Sequence, residues 1–190
     1  MKPQVAIVMG SDSDLEVMTE AAKVLDELLV SYEIAILSTH RVAEETSAFA
    51  KSAKKRGFKV LIAGAGGAAA LPGSIASLTT LPVIGVPIMT KSLEGLDSLL
   101  SIAQMPPGVP VATVGINAAK NAGLLAAQII ATFDFSVDKK LNQYKSKQKE
   151  AVLLKNKKLH QIGWLKYLKE KNATTEDTEE KRKTLKKSGG

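Results

Sequence analysis

The sequence predicts a three-layer, doubly wound α/β domain with a parallel sheet, followed by an extended C-terminal helix. Short apolar runs alternate strictly with helix-length amphipathic segments, and the connections between them are short and rich in Gly, Ser and Ala. Continuous apolar runs of this kind suit strands buried on both faces, and right-handed crossovers place the intervening helices over both sides of such a sheet. Beyond about Asp138 the composition changes to Lys, Gln, Glu and Asn with a Leu face, which marks the extension.

Val5 to Met9 is the first buried strand, and it ends at Gly10-Ser-Asp-Ser-Asp14. The first helix carries Leu15, Met18, Ala22, Leu25 and Leu29 at spacings of three and four, with Ser13 or Asp14 placed to cap its free N–H groups. Tyr32 to Leu37 reads as the second strand, Ser38-Thr-His-Arg41 as its loop, and Val42 to Arg56 as a helix with Phe49 and Ala50 on its apolar face, stopped by Gly57. Val60 to Ala63 is the third strand, and Gly64 to Ala69 the third loop. Pro72 suits the first turn of the next helix, where a missing N–H does no harm. Pro82 to Val86 and Val111 to Gly115 read as the fourth and fifth strands, Gly95 to Gln104 and Ala118 to Thr132 as the fourth and fifth helices. The expected organisation is a catalytic domain over 1–135, a helical extension over 136–171 and a disordered basic tail over 172–190.

The formal charge of +7 suggests a nucleic-acid partner until it is located. Residues 151–190 hold 11 Lys/Arg against 5 Asp/Glu, and the first 150 hold 15 against 14. The main domain is therefore almost neutral, and neither a nucleic-acid nor a membrane partner is expected. No apolar run reaches the ~18 residues of a membrane span and no signal-peptide pattern opens the chain, so a soluble, cytoplasmic protein is expected. With no Cys and two His, thiolate metal sites and disulfides are excluded and no metal centre is expected.

In doubly wound sheets ligands bind beyond the carboxyl ends of the strands, where the first three loops fall. Gly10 to Asp14 presents backbone N–H groups at the positive end of a helix together with the hydroxyls of Ser11 and Ser13, an arrangement for phosphate; a carboxylate there, Asp12 or Asp14, suits ribose hydroxyls. The same loop also reads as a plain tight turn and helix cap. Arg41 has the fork that grips phosphate oxygens. His40 is the main domain's single imidazole, a side chain whose proton exchanges near neutrality, so it is the candidate acid/base. Gly64, Gly66 and Gly67 permit close backbone approach to a carboxylate or carbon dioxide, or simply tight strand-to-helix packing. Ser92 to Asp97 and Ser101 to Pro107 are further candidate walls or subunit contacts.

Gly10-Ser-Asp-Ser-Asp14, Ser38-Thr-His-Arg41, Ala63-Gly-Ala-Gly-Gly-Ala-Ala69 with Leu71-Pro-Gly73, and Asp97-Ser-Leu with Gln104-Met-Pro106 together resemble the N5-carboxyaminoimidazole ribonucleotide mutases of purine biosynthesis, over roughly residues 3–150. The resemblance implies a flavodoxin-like subunit of a homo-octamer, no cofactor, and a phosphoribosyl imidazole substrate. By the same resemblance Ser11 and Arg41 hold the phosphate, Ser13 supports that loop, Asp14 binds the ribose and His40 exchanges the proton. The sequence departs from the family at Ala70, where a second active-site histidine is usual, and at Thr39, where alanine is usual. Alanine neither titrates nor donates a hydrogen bond, so handling of the substrate carboxyl group is affected there. The rival readings are a carboxylase that takes free carbon dioxide, a non-catalytic nucleotide-binding variant and, from fold alone, a flavin carrier.

Overall fold

Val5–Met9 forms β1 and is buried at every position. It lies inside a five-stranded, all-parallel sheet ordered β2-β1-β3-β4-β5, with β2 at Tyr32–Ile36, β3 at Val60–Gly66, β4 at Val83–Ile88 and β5 at Ala112–Thr113. The computed structural model describes residues 2–173. Met9 sits level with Ile36 on one side and Gly64 on the other, so the carboxyl ends of β1, β2 and β3 are in register and their loops emerge side by side.

The central strands β1 and β4 are wholly buried, as continuous apolar runs require, whereas β2 is a half-exposed edge. Its Glu33 meets Arg56 through both carboxylate oxygens at 2.7 and 2.6 Å. The guanidinium of Arg56 also lies 5.0 and 4.9 Å from the ring centres of Phe49 and Phe58, covering an aromatic pair that closes the core.

The strands alternate with helices α1 (Leu15–Glu27), α2 (Ala43–Arg56), α3 (Leu71–Ala76), α4 (Leu96–Ala103) and α5 (Ala119–Ala131), and α6 (Phe135–Ile162) comes after α5. α1 packs on α5, and α5 lies against β3 and β4. The opposite face of the sheet gathers Ala50 and Ala53 of α2, Leu71 and Ile75 of α3 and Ile102 of α4 over Ala6, Val8, Leu61, Ala63 and Val83. The layers meet closely because small residues occupy the sheet's centre. A β-carbon on Gly64 would overlap Met18 of α1, and one on Gly85 would overlap Ile102 of α4. Gly57 ends α2 in the left-handed region at φ 106°, its N–H turned back to Ala53 and Lys54 carbonyls.

Several boundaries differ from expectation for local reasons. The buried stripe of α1 is Met18, Ala21, Ala22, Val24 and Leu25, while Leu15 and Leu29 flank it exposed; Leu29 lies beyond the helix at φ 56°. β3 continues through Gly66, because small residues there still pair with β4. β5 contracts to Ala112 and Thr113, which pair with Ile84 and Gly85 at the far edge of the sheet. Two compact units divide between Leu141 and Asn142. In the second, the later turns of α6 are followed by Gly163 at φ 75° and a helical segment over 164–173, joined to α6 by the Lys158–Glu170 ion pair at 2.6 Å. Asn172 and Ala173, expected in a disordered tail, are helical; the rest of that tail lies outside the described residues.

Candidate active site

The turn after β1 is built by Ser11, whose hydroxyl accepts the Ser13 N–H at 3.3 Å and caps a short 3-10 turn over Asp12–Asp14. Neither Ser13 nor Asp14 caps α1 itself; the cap stands one turn earlier than expected. Ser13 Oγ donates to Asp14 Oδ1 at 3.1 Å. Asp14 is buried, and this burial pushes its carboxyl above the ordinary value. The Ser13 hydrogen bond and the positive charge of Arg41 pull the other way, and Asp12 adds a small rise.

Arg41 ties the second loop to the first. Its Nη2 donates to the Gly10 carbonyl at 2.6 Å and its Nε to Ser38 Oγ at 3.2 Å, so a cation from the β2 loop is held over the mouth of the β1 loop. His40, beside it, is exposed. Both face a cleft of about 550 Å³ lined by Gly10, Ser11, Ser13, Asp14, Ser38 to Arg41, Ala65, Gly66, Ala68 to Leu71 and Thr90. That volume lies within the ~300–1,000 Å³ usual for small-molecule sites. Ser11, Ser13, Asp14, His40, Arg41, Gly66 and Ala70 are thus brought together by the register of three strands.

Gly64 and Gly67 do not line the cleft. Gly64 is an interior residue of β3, and its missing side chain makes room for Met18. Gly67 stands at φ 64° with its N–H donated to Ser98 Oγ at 2.9 Å, so that donor faces α4 rather than a ligand. Nor do Ser92 to Asp97 or Ser101 to Pro107 form a wall. Sequence reasoning missed Thr90, just past the carboxyl end of β4, where the rule used for the other loops already pointed. Ala65 and Leu71 were missed too, and apolar lining residues carry no chemical signal in a sequence. Among the described residues, no group of three or more His, Asp or Glu is arranged to hold a metal ion.

Comparison with known proteins identifies the lineage of this cleft. Residues 4–151 match the family model for AIR carboxylase. The chain belongs to the AIR carboxylase family. Its relatives in this family include the N5-carboxyaminoimidazole ribonucleotide mutase of Thermotoga maritima, 56% identical over 89% of this chain and 99% of that protein. The protein of the same name from Pyrococcus horikoshii is 58% identical over 89% and 96%. The phosphoribosylaminoimidazole carboxylase of Saccharomyces cerevisiae is 53% identical over 90% of this chain, which spans 30% of that longer protein. A crystal structure of PurE from Treponema denticola superposes with a TM-score of 0.76 at 30% identity, covering 83% of this chain and 98% of that one. The family resemblance and the flavodoxin-like strand order agree with the expectation from sequence.

Proposed function

We propose that this AIR carboxylase family member is a cofactor-free mutase that converts N5-carboxyaminoimidazole ribonucleotide to 4-carboxy-5-aminoimidazole ribonucleotide. The observation that carries this reading is the convergence of His40, Arg41, Ser11 and Asp14 on one cleft that Ala68, Ala69 and Ala70 also line. In the binding step Arg41 exchanges its Gly10 and Ser38 partners for phosphate oxygens, which Ser11 also holds, Ser13 supports that loop, and Asp14 accepts from the ribose hydroxyls. The N5–carboxyl bond then breaks, carbon dioxide is released beside Gly66 and Ala70, and ring carbon 4 attacks it. His40 supplies the proton that N5 takes up and removes the proton that carbon 4 gives up, so one group serves both halves and the net proton count is unchanged. Holding both fragments together supplies the entropic advantage, and exclusion of water limits loss of carbon dioxide.

The match to bacterial and archaeal mutases over 99% and 96% of their length favours this over direct carboxylation, although the yeast relative carries the carboxylase name. Ala70 is expected to slow turnover while leaving nucleotide binding intact. The expected assembly is a homo-octamer in the cytoplasm; exposed Val152, Leu153, Leu154, Trp164 and Leu165 support a role for the second unit in assembly. Among the described residues no helix is long and apolar enough to cross a membrane.

The test is decarboxylation and carboxyl exchange on this chain, on His40→Asn and on Ala70→His. Turnover by the chain that is lost in His40→Asn and raised in Ala70→His is expected. Turnover of aminoimidazole ribonucleotide that depends on added bicarbonate, with none from the N5-carboxy compound, would establish the carboxylase instead. Nucleotide binding without turnover in either the chain or Ala70→His would mark a non-catalytic binder.

A further inference from the structure

The loop after β3, which lines the cleft with Gly66 and Ala68 to Leu71, follows a course that the backbone does not choose unaided. Gly67 stands at φ 64° and Ala69 at φ 40°, two left-handed residues within three, and the Ala69 N–H closes back on the Gly66 carbonyl at 3.2 Å. The second is an alanine, for which this region is unfavourable by roughly 1–2 kcal/mol, so the surroundings must impose it. A side chain outside the cleft is hydrogen-bonded to this turn. Ser98, fully buried in α4, accepts the Gly67 N–H at 2.9 Å and donates its hydroxyl proton to the Ile88 carbonyl at the end of β4, also at 2.9 Å. Its own N–H donates to Asp97 Oδ1 at 2.9 Å, which ties it within the first turn of the helix. Ser98 therefore joins the ends of β3 and β4 to α4 at the residue on which the turn pivots.

We propose that Ser98 is a positioning residue for the reaction: by holding Gly67 it sets where Ala68, Ala69 and Ala70 present their backbone to the reacting carboxyl group. This rests on the mutase reading above. Removal of the hydroxyl leaves the Gly67 N–H and the Ile88 carbonyl without their bridge and allows the turn to relax toward extended backbone. Ser11, Asp14 and Arg41 belong to the β1 and β2 loops, which Ser98 does not touch, so nucleotide binding and reaction should part company.

The experiment is steady-state kinetics with N5-carboxyaminoimidazole ribonucleotide on the full chain, on Ser98→Ala and on Gly67→Ala. A β-carbon on Gly67 meets nothing within 4 Å, so that variant strains the same joint through φ alone and serves where Ser98→Ala fails to fold. The expected result is a kcat lower by about 10- to 100-fold, the loss that a small misplacement of reacting groups produces, with KM within about threefold of the parent. A kcat within about twofold of the parent in a folded variant overturns the proposal. So does a fall in kcat matched by an equal rise in KM, which would mark general loosening. An inactive parent chain refutes the mutase reading itself and this proposal with it, whereas an active parent with an unaffected variant refutes the role of Ser98 alone.

Discussion

Replacing Arg41 by Ala separates its two tasks in the structure. In the structure the guanidinium joins the β1 and β2 loops through Gly10 O and Ser38 Oγ, both at an exposed position. Exposed polar links of this sort contribute about 0–1 kcal/mol, because water replaces them readily. On a phosphate the same group makes charge-assisted hydrogen bonds, whose loss costs about 1.5–3 kcal/mol. At about 1.4 kcal/mol per decade, this amounts to a roughly 10- to 150-fold rise in KM or in the nucleotide dissociation constant. Thermal stability should change little, and kcat at saturation should fall much less than kcat/KM. Arg41→Lys should recover only part of the affinity, since an ammonium cannot span two loops or grip two oxygens. Calorimetric titration with aminoimidazole ribonucleotide, beside a melting curve of each variant, reads both quantities. An unchanged dissociation constant, or a fall in melting temperature with no loss of affinity, would show that Arg41 is a structural strut and would refute its assignment to phosphate.

Two further outcomes follow from the same structure. Burial raises the Asp14 carboxyl above its ordinary value, so protonated Asp14 favours the fold; that contribution is complete below the unfolded value of about 3.9 and is lost as pH rises through the higher folded one. Asp14→Asn should thus leave the melting temperature little changed near pH 3 and raise it by a few degrees at pH 7, while weakening nucleotide binding; a gain confined to acid pH would contradict the assignment. Gly85→Ala places a methyl group against Ile102 and 2.9 Å from Val111 Cγ1. Overpacking there should cost about 1–3 kcal/mol in urea unfolding at unchanged m-value, and no loss of stability would show that α4 shifts to admit it.

The sequence made the five parallel strands and the convergence of their loops legible because buried parallel strands are continuous apolar runs and the ligand end of such a sheet is fixed by topology. Ser11, Ser13, Asp14, His40 and Arg41 were therefore found as neighbours although up to 30 residues separate them. The glycines of the third loop were less legible. Gly64, Gly66 and Gly67 look alike in sequence, yet one admits Met18, one borders the cleft and one adopts a left-handed turn. Which role each takes depends on residues distant in the chain, Met18 and Ser98, that local pattern does not connect. Element ends were the least legible: β5 kept two of the residues its apolar run suggested, and Leu29 lay past the end of the helix whose stripe it continued.

The seating of Met18 over Gly64 also restricts the order in which this core can change. Any side chain at position 64 collides with the Met18 sulfur while that residue is present, but a smaller residue at position 18 first opens a void that an alanine at 64 then refills. The two substitutions should be non-additive, each harmful alone and milder together. Either order of single steps therefore passes through a less stable intermediate, so Met18 and Gly64 hold each other in place as the rest of the sequence changes.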